Sequence, residues 1–318
     1  MYNDIRLEKG LYNLSGKSFS AALEELDPSS AYCGTPLEKL DAYERQLKRF
    51  NIRISGADCD RVEKFFASTE TAVLFPEFVT RCIKKGFNDT VLRSICAAKT
   101  VSGCGQYLGC TLDDSAEYTA AAEAAALPTA TVRESESATV LAKYGRLISA
   151  SYEAVRQQRL DVFGVMLRSI GVKLAASVTK KAVEVLAAEA ETITADAVTY
   201  DGIASLYGKF DAFDMNTLIV SPAAASDIVT LEQLNDISAD ENGRIILPFG
   251  AELVKTSAAD NKIIGIDRNF ALEFITSSDL VMETDKLISR QLDYVTVSIT
   301  CGFRKITPDA VKVLEIAG

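Results

Sequence analysis

No proline occurs between Pro128 and Pro222, and that interval holds the strongest local pattern in the chain, from Ser151 to about Ala190. Ser151 has the side chain of a helix cap, and Glu153 falls in the first turn, where the helix dipole favours an anion. Val155, Phe163, Met166, Leu167, Ile170 and Leu174 then form an apolar stripe. The pattern predicts a helix of about 25 residues, about 37 Å long at 1.5 Å per residue. Most globular helices are shorter. Gly164 and Gly171 mark a bend in it or a close packing contact.

Upstream, the segment to about residue 40 mixes Ser, Gly and acidic residues and reads as an arm with one short helix. PLEKLDAYERQLKRF, from Pro36, places Leu37, Leu40, Tyr43, Leu47 and Phe50 at helical spacing. Asn51 to Ser55 alternates like a short strand, and a second helical stretch covers Asp60 to about Ser68. LFPEFVTRCIKKGF (74–87) reads as a helix with Pro76 near its start and Gly86 just past its end. Thr111 to Ala126 is acidic and Ala-rich, either extended or helical. The following TATVRESESATVLAKYGRLISAS, rich in β-branched residues, predicts an extended hairpin arm.

Downstream the pattern is mixed. It predicts a helix near Ala197 to Tyr207, a buried strand TLIVS (217–221), and a helix capped by Ser221 with Pro222 in its first turn. A turn at Asp240 to Gly243 and strands at Arg244 to Leu247 and Lys262 to Ile266 follow. Near the end, Val295, Val297, Ile299, Cys301 and Phe303 alternate with polar residues or glycine, the signature of a long strand with one buried face.

Histidine is absent, which removes Ser-His-Asp and Cys-His nucleophile pairs, His-containing zinc sites and the commonest general base. The seven cysteines are an odd number without a C-x-x-C pair, so they predict reduced and mostly buried thiols. Residues 191 to 318 hold ten Lys/Arg and twenty Asp/Glu, carrying the whole net charge of -10. Such an acidic half repels phosphate backbones and disfavours sequence-specific nucleic-acid binding. No apolar run reaches the roughly 18 residues of a membrane helix, and the first ten residues lack a signal-peptide core.

Motif-like segments fail their own chemistry. In GLYNLSGKS (10–18) five residues separate Gly10 from Gly16, where a P-loop needs four. SADENG (238–243) lacks the starting Asp and the twelfth-position Glu of a calcium loop, so it reads as a turn. GCGQYLGC (103–110) has no histidine to activate a thiolate and reads as a flexible joint. Asp113 with Asp114, and Asp211 with Asp214, are ordinary pairs in an acidic chain. Arg156, Arg159, Arg168 and Lys173 read as a solvated or subunit-facing positive face of the long helix. No catalytic, cofactor-binding or metal-binding residue is assigned.

The order of arm, extended loop, long helix, compact α/β region and long alternating strand resembles the tailed-bacteriophage major capsid proteins with the Hong Kong 97 fold. VLAKYGRLISASYEAV (140–155), NKIIGIDRNFALEF (261–274) and the acidic segment DLVMETDKLISRQLDYVTVSITCGFRKITPDAVKVL (279–314) carry that resemblance. It covers about residues 75 to 318 and implies an α+β fold with an N-terminal arm, an extended β-hairpin loop, a long spine helix in a peripheral domain, and an α/β axial domain. The implied divisions are an N-terminal extension at 1–74, an N-arm at 75–111 and an extended loop at 112–149. The peripheral domain would take 150–197 with the spine helix and the strands of 277–308. The axial domain would take 198–276 and the C-terminal 309–318.

The resemblance further implies a structural protein, not an enzyme: a homo-oligomer of hexamers and pentamers closing an icosahedral virion shell around double-stranded DNA. Assembly would occur in the host bacterial cytoplasm without membrane or cofactor, with scaffold, portal and decoration proteins as further partners. An encapsulin-like nanocompartment enclosing a cargo enzyme is the alternative within the same fold, and an unrecognised enzyme or other soluble protein the alternative outside it. The Lys-to-Asn isopeptide chemistry of the founding family member finds no counterpart. No lysine lies between Thr111 and Ala142, leaving only Lys143 at the loop base, and no asparagine follows Asn269. The stretch Thr300 to Phe303 offers no carboxylate where that chemistry needs its glutamate.

Overall fold

The computed structural model describes residues 5–12, 17–114, 120–234, 239, 243–287 and 292–317. The chain divides into two compact units. One comprises Met1–Asp89, Gly145–Leu174 and Val281–Val297; the other comprises Thr90–Tyr144, Ala175–Leu280 and Ser298–Gly318.

The N-terminal segment is packed rather than trailing as an arm. Helix α1 (Phe19–Leu26) is capped by Ser18 and buries Phe19, Ala22 and Leu23. Helix α2 (Ala42–Arg49) opens on a capping box between Asp41 and Glu44, so it starts six residues later than the apolar spacing from Pro36 predicts. Arg45 is fully buried: its Nε donates to Asp27 at 3.0 Å and its Nη1 to the Ser29 hydroxyl at 3.1 Å, while its guanidinium lies 4.5 Å from the Tyr32 ring. The predicted strand at Asn51 to Ser55 does not form. Asn51 takes a left-handed φ of 52°, and Arg53 and Asp60 close a loop through Asp60 N–H to Arg53 O at 2.9 Å. The predicted helix at Asp60 to Ser68 shrinks to a 3-10 turn, Val62–Phe66.

Helix α3 (Thr69–Asn88) is longer than its sequence punctuation suggests, because Ser68 and Thr71 form a capping box ahead of Pro76. Pro76 and Gly86 therefore both lie inside the helix. Near the proline the Tyr12 hydroxyl enters the helical ladder, accepting from Glu77 N–H at 3.1 Å and donating to Val73 O at 2.7 Å. An inserted hydroxyl of this kind replaces the bond between those two backbone groups.

Helix α4 (Leu92–Ile95) leads into β1 (Ala98–Val101), β2 (Gln106–Tyr107), β3 (Cys110–Asp113), β4 (Thr131–Glu134), β5 (Thr139–Val140) and β6 (Ala142–Ser151). Ser151 caps a short helix α5 (Tyr152–Arg156), and the long helix α6 (Leu160–Ala187) starts only after a break. The backbone at the break is diverted: Val62 N–H donates to Gln158 O, and Leu160 N–H to Asp60 O, each at 2.9 Å. Its 28 residues give α6 a length of about 42 Å. Leu167 and Leu174 of the predicted stripe are buried, but Met166 is exposed, as are Val162, Val165 and Val172. By length and composition alone α6 is long and apolar enough to cross a membrane, although no unbroken apolar run in it reaches that length. It nevertheless carries Arg168 and Lys173 near its middle.

Past α6 come β7 (Glu191–Ala195), α7 (Tyr200–Tyr207), β8 (Thr217–Val220) and α8 (Pro222–Val229), the last capped by Ser221 as predicted. Then follow β9 (Glu252–Lys255), β10 (Lys262–Ile266), β11 (Leu272–Thr276), β12 (Val281–Leu287), β13 (Leu292–Lys305) and β14 (Val311–Ile316). Arg244 to Leu247 makes only isolated bridges, Ala239 with Ile245 and Ile246 with Glu252. Most of the Ser238–Gly243 turn lies outside the described residues.

One sheet runs β7-β14-β10-β8-β9, with β14/β7 and β8/β9 parallel and both β10 pairings antiparallel. Ile203, Leu206, Met215, Leu218, Val220, Ile228, Ile263 and Leu314 build its core. The other sheet runs β1-β11-β13-β12, with β6 also on β13. Strand β13 buries Val297, Ile299, Cys301 and Phe303 as the alternation requires.

Candidate assembly surfaces

The hairpin arm is a ladder of short strands. Gln106↔Val140 and Tyr107↔Thr139 pair β2 with β5, and Cys110↔Glu134 through Asp113↔Thr131 pair β3 with β4. Leu141 N–H to Gly105 O at 2.9 Å and Ser135 N–H to Gly109 O at 2.7 Å continue the ladder, so the glycine-rich GCGQYLGC segment is one side of the arm rather than a free joint. The described part of the Ala-rich stretch, 120–126, is not helical. Leu108, Leu112, Leu127, Val132 and Val140 are all exposed. Isolated two-stranded hairpins are marginal in water, and clustered exposed apolar side chains mark contact surfaces.

Arg304 anchors the arm to its sheet. Its Nε and Nη2 reach Glu273 Oε2 at 3.1 and 3.0 Å, and its Nη1 donates to Cys110 O at 2.8 Å. The Thr100 hydroxyl donates to Glu273 Oε1 at 2.6 Å. The guanidinium packs where a side chain on Gly109 would stand, and Gly302 likewise lets Leu141 and the Val140 carbonyl approach β13.

A second surface is an open groove of about 650 Å³ in the first unit, bordered by α2, α3 and the start of α6. Its exposed apolar surface comes mainly from Val162 and Val165, over buried Phe78, Leu160 and Gly164. Three cations line it. Arg81 is satisfied by Asp41 and Glu77, whereas Lys85 and Arg168 have no ionic partner among the described residues. Two carboxylates also line it, Glu44 in the α2 capping box and Asp161 paired with Arg159 at 2.7 Å. The positive face read from Arg156, Arg159, Arg168 and Lys173 is therefore divided: Arg156 lies over Phe66 and Arg159 is paired.

Elsewhere the motif-like segments have structural uses. Lys17 pairs with Glu25 and Ser18 caps α1, while residues 13–16 of GLYNLSGKS lie outside the described residues. Asp113 pairs with Arg133 across the arm, and the Asp214 amide donates to Asp267. All seven cysteines are free thiols, but only Cys301 is buried. Cys33, Cys104 and Cys110 are exposed, correcting the expectation of mostly buried thiols; Cys110 lies on β3 of the arm. Burial alone pushes the Cys96 and Cys301 thiols up to about 12. Among the described residues no cluster of Cys, Asp and Glu could hold a metal ion.

An extended hairpin arm, a long helix and two mixed sheets make up an α+β fold of the Hong Kong 97 type. A model of the phage capsid protein family matches residues 134–295, just over half the sequence, and the chain belongs to that family. It is accordingly a structural protein and not an enzyme. No curated protein matches it in sequence.

Solved structures share the fold at low identity. The capsid of a native GTA particle aligns at 14% identity and TM-score 0.53, over 71% of this chain and 90% of that one. A virus-like particle from Pyrococcus furiosus aligns at 12% and 0.52, over 75% and 96%. The SrpI encapsulin of Synechococcus elongatus PCC 7942 aligns at 12% and 0.53, over 71% and 86%.

Proposed function

We propose that the chain is the major capsid protein of a tailed bacteriophage, whose copies form the hexamers and pentamers of an icosahedral shell around double-stranded DNA. The family match across 134–295 carries this reading, because it spans the return side of the arm, the long helix and much of the mixed sheets. In this reading 1–74 is an N-terminal extension, 75–111 the N-arm and 112–149 the extended loop. Residues 150–197 and 277–308 form the peripheral domain, and 198–276 with 309–318 the axial domain. The shell assembles in the host cytoplasm, with scaffold, portal and decoration proteins as candidate partners. An acidic C-terminal half suits a wall that encloses DNA without gripping it by sequence.

The arm is the element on which assembly turns. Seating it on a neighbouring subunit buries apolar surface that a single copy leaves exposed. Deleting residues 118–138 is expected to leave a folded subunit that no longer assembles; normal shells from the deletion would refute this. The likeness to an encapsulin supports a second reading, a compartment around a protein cargo. Nuclease treatment of particles from infected cells separates the two: the phage reading expects protected double-stranded DNA, and the compartment reading a co-purifying protein instead.

A further inference from the structure

The groove bordered by α2, α3 and α6 holds three cations and two carboxylates: Arg81, Asp161 and Glu44 are engaged by neighbours within the chain, whereas Lys85 and Arg168 have no ionic partner among the described residues. Val162 and Val165 stand 50% and 55% exposed beside it. An open groove of this kind suits a segment that is both apolar and anionic. The chain supplies one. Residues 112–138 hold six carboxylates and a single arginine. Glu123, Glu134 and Glu136 are exposed and make no ion pair among the described residues, and Leu127 and Val132 are 72% and 66% exposed.

We infer that the groove formed by α2, α3 and the start of α6 is the seat for the acidic arm tip of a second copy, residues 120–136. Lys85 and Arg168 receive its glutamates, and Val162 and Val165 cover Leu127 and Val132. This rests on the assembly reading above and names the surface that the arm engages. Charge complementarity selects the occupant. The same acidic charge disfavours nucleic acid at the arm, while the groove's cations repel a basic partner.

Zero-length carbodiimide coupling of assembled particles, read by mass spectrometry, tests the contact. Amide links from Lys85 to Glu123, Glu134 or Glu136 are expected in particles and not in dissociated subunits. Lys85 is exposed, so Lys85→Glu preserves folding and is expected to lower assembly yield by about tenfold or more. Reversing Glu134 and Glu136 to Lys in the same chain should restore much of that yield. Arm glutamates linked to other lysines, together with wild-type assembly of Lys85→Glu, would overturn the groove assignment while leaving the arm reading intact. Normal assembly of the 118–138 deletion would overturn both.

Discussion

Gly86 of α3 and Gly171 of α6 meet at a helix crossing where backbone touches backbone. A methyl group on Gly171 would fall on the Ile83 carbonyl and the Phe87 amide, and one on Gly86 on the Arg168 carbonyl. Alanine is otherwise the better helix former, by about 1 kcal/mol. Here overpacking opposes that gain by about 1–3 kcal/mol. Gly171→Ala is expected to lower stability by up to about 2 kcal/mol in urea denaturation; a more stable protein would mean that the helices do not cross at this point.

Tyr12 provides a second packing test. Its hydroxyl is the partner of both Val73 O and Glu77 N–H, and its ring stacks on Phe19 at 4.3 Å. Tyr12→Phe keeps the ring and removes the bridge, leaving backbone groups unpaired at a proline-weakened turn. A loss of about 1–3 kcal/mol is expected, with amide exchange of α3 accelerating around Val73 to Glu77. Unchanged exchange there would show that the helix closes its own ladder.

Glu191 gives the pH dependence. Lys312 at 2.8 Å, paired with it across β14 and β7, and then Lys209 at 3.0 Å lower its carboxyl from 4.5 to about 2. A depressed folded-state value contributes stability above the unfolded value, and that contribution is lost as pH falls from 4.5 through about 2. Glu191→Gln should therefore be less stable than the parent at pH 7, with the difference closing across that window. A difference that stays constant down to pH 2 would remove Glu191 from the acid response.

Mature particles should run on a denaturing gel as one band near 34.4 kDa or as a shorter processed form. The arm between Thr111 and Ala142 has no lysine, and no asparagine follows Asn269, so an inter-subunit isopeptide lacks its reactants. A ladder that survives reducing agent would contradict this.

Elements whose signals are local were legible in the sequence. Ser221 and Pro222 open α8 as written, Lys262 to Ile266 is β10, and the alternation around Cys301 is β13. Elements set by distant partners were not. Pro76 reads as a helix start, but the Ser68–Thr71 box and the Tyr12 hydroxyl make it an interior residue. Ser151 reads as the cap of the long helix, but hydrogen bonds from the 60–62 segment break the chain before Leu160. The groove was invisible for the same reason: Lys85 and Arg168 are 83 positions apart, and contacts such as the Gly86–Gly171 crossing and the Phe78–Phe163 stack bring their helices together.

Shell formation itself is tested by electron microscopy of the purified full-length chain, with light scattering across salt and concentration. Closed particles, or capsomers of five and six copies, are the expected result. A stable monomer under every condition, with or without a scaffold protein, would contradict it.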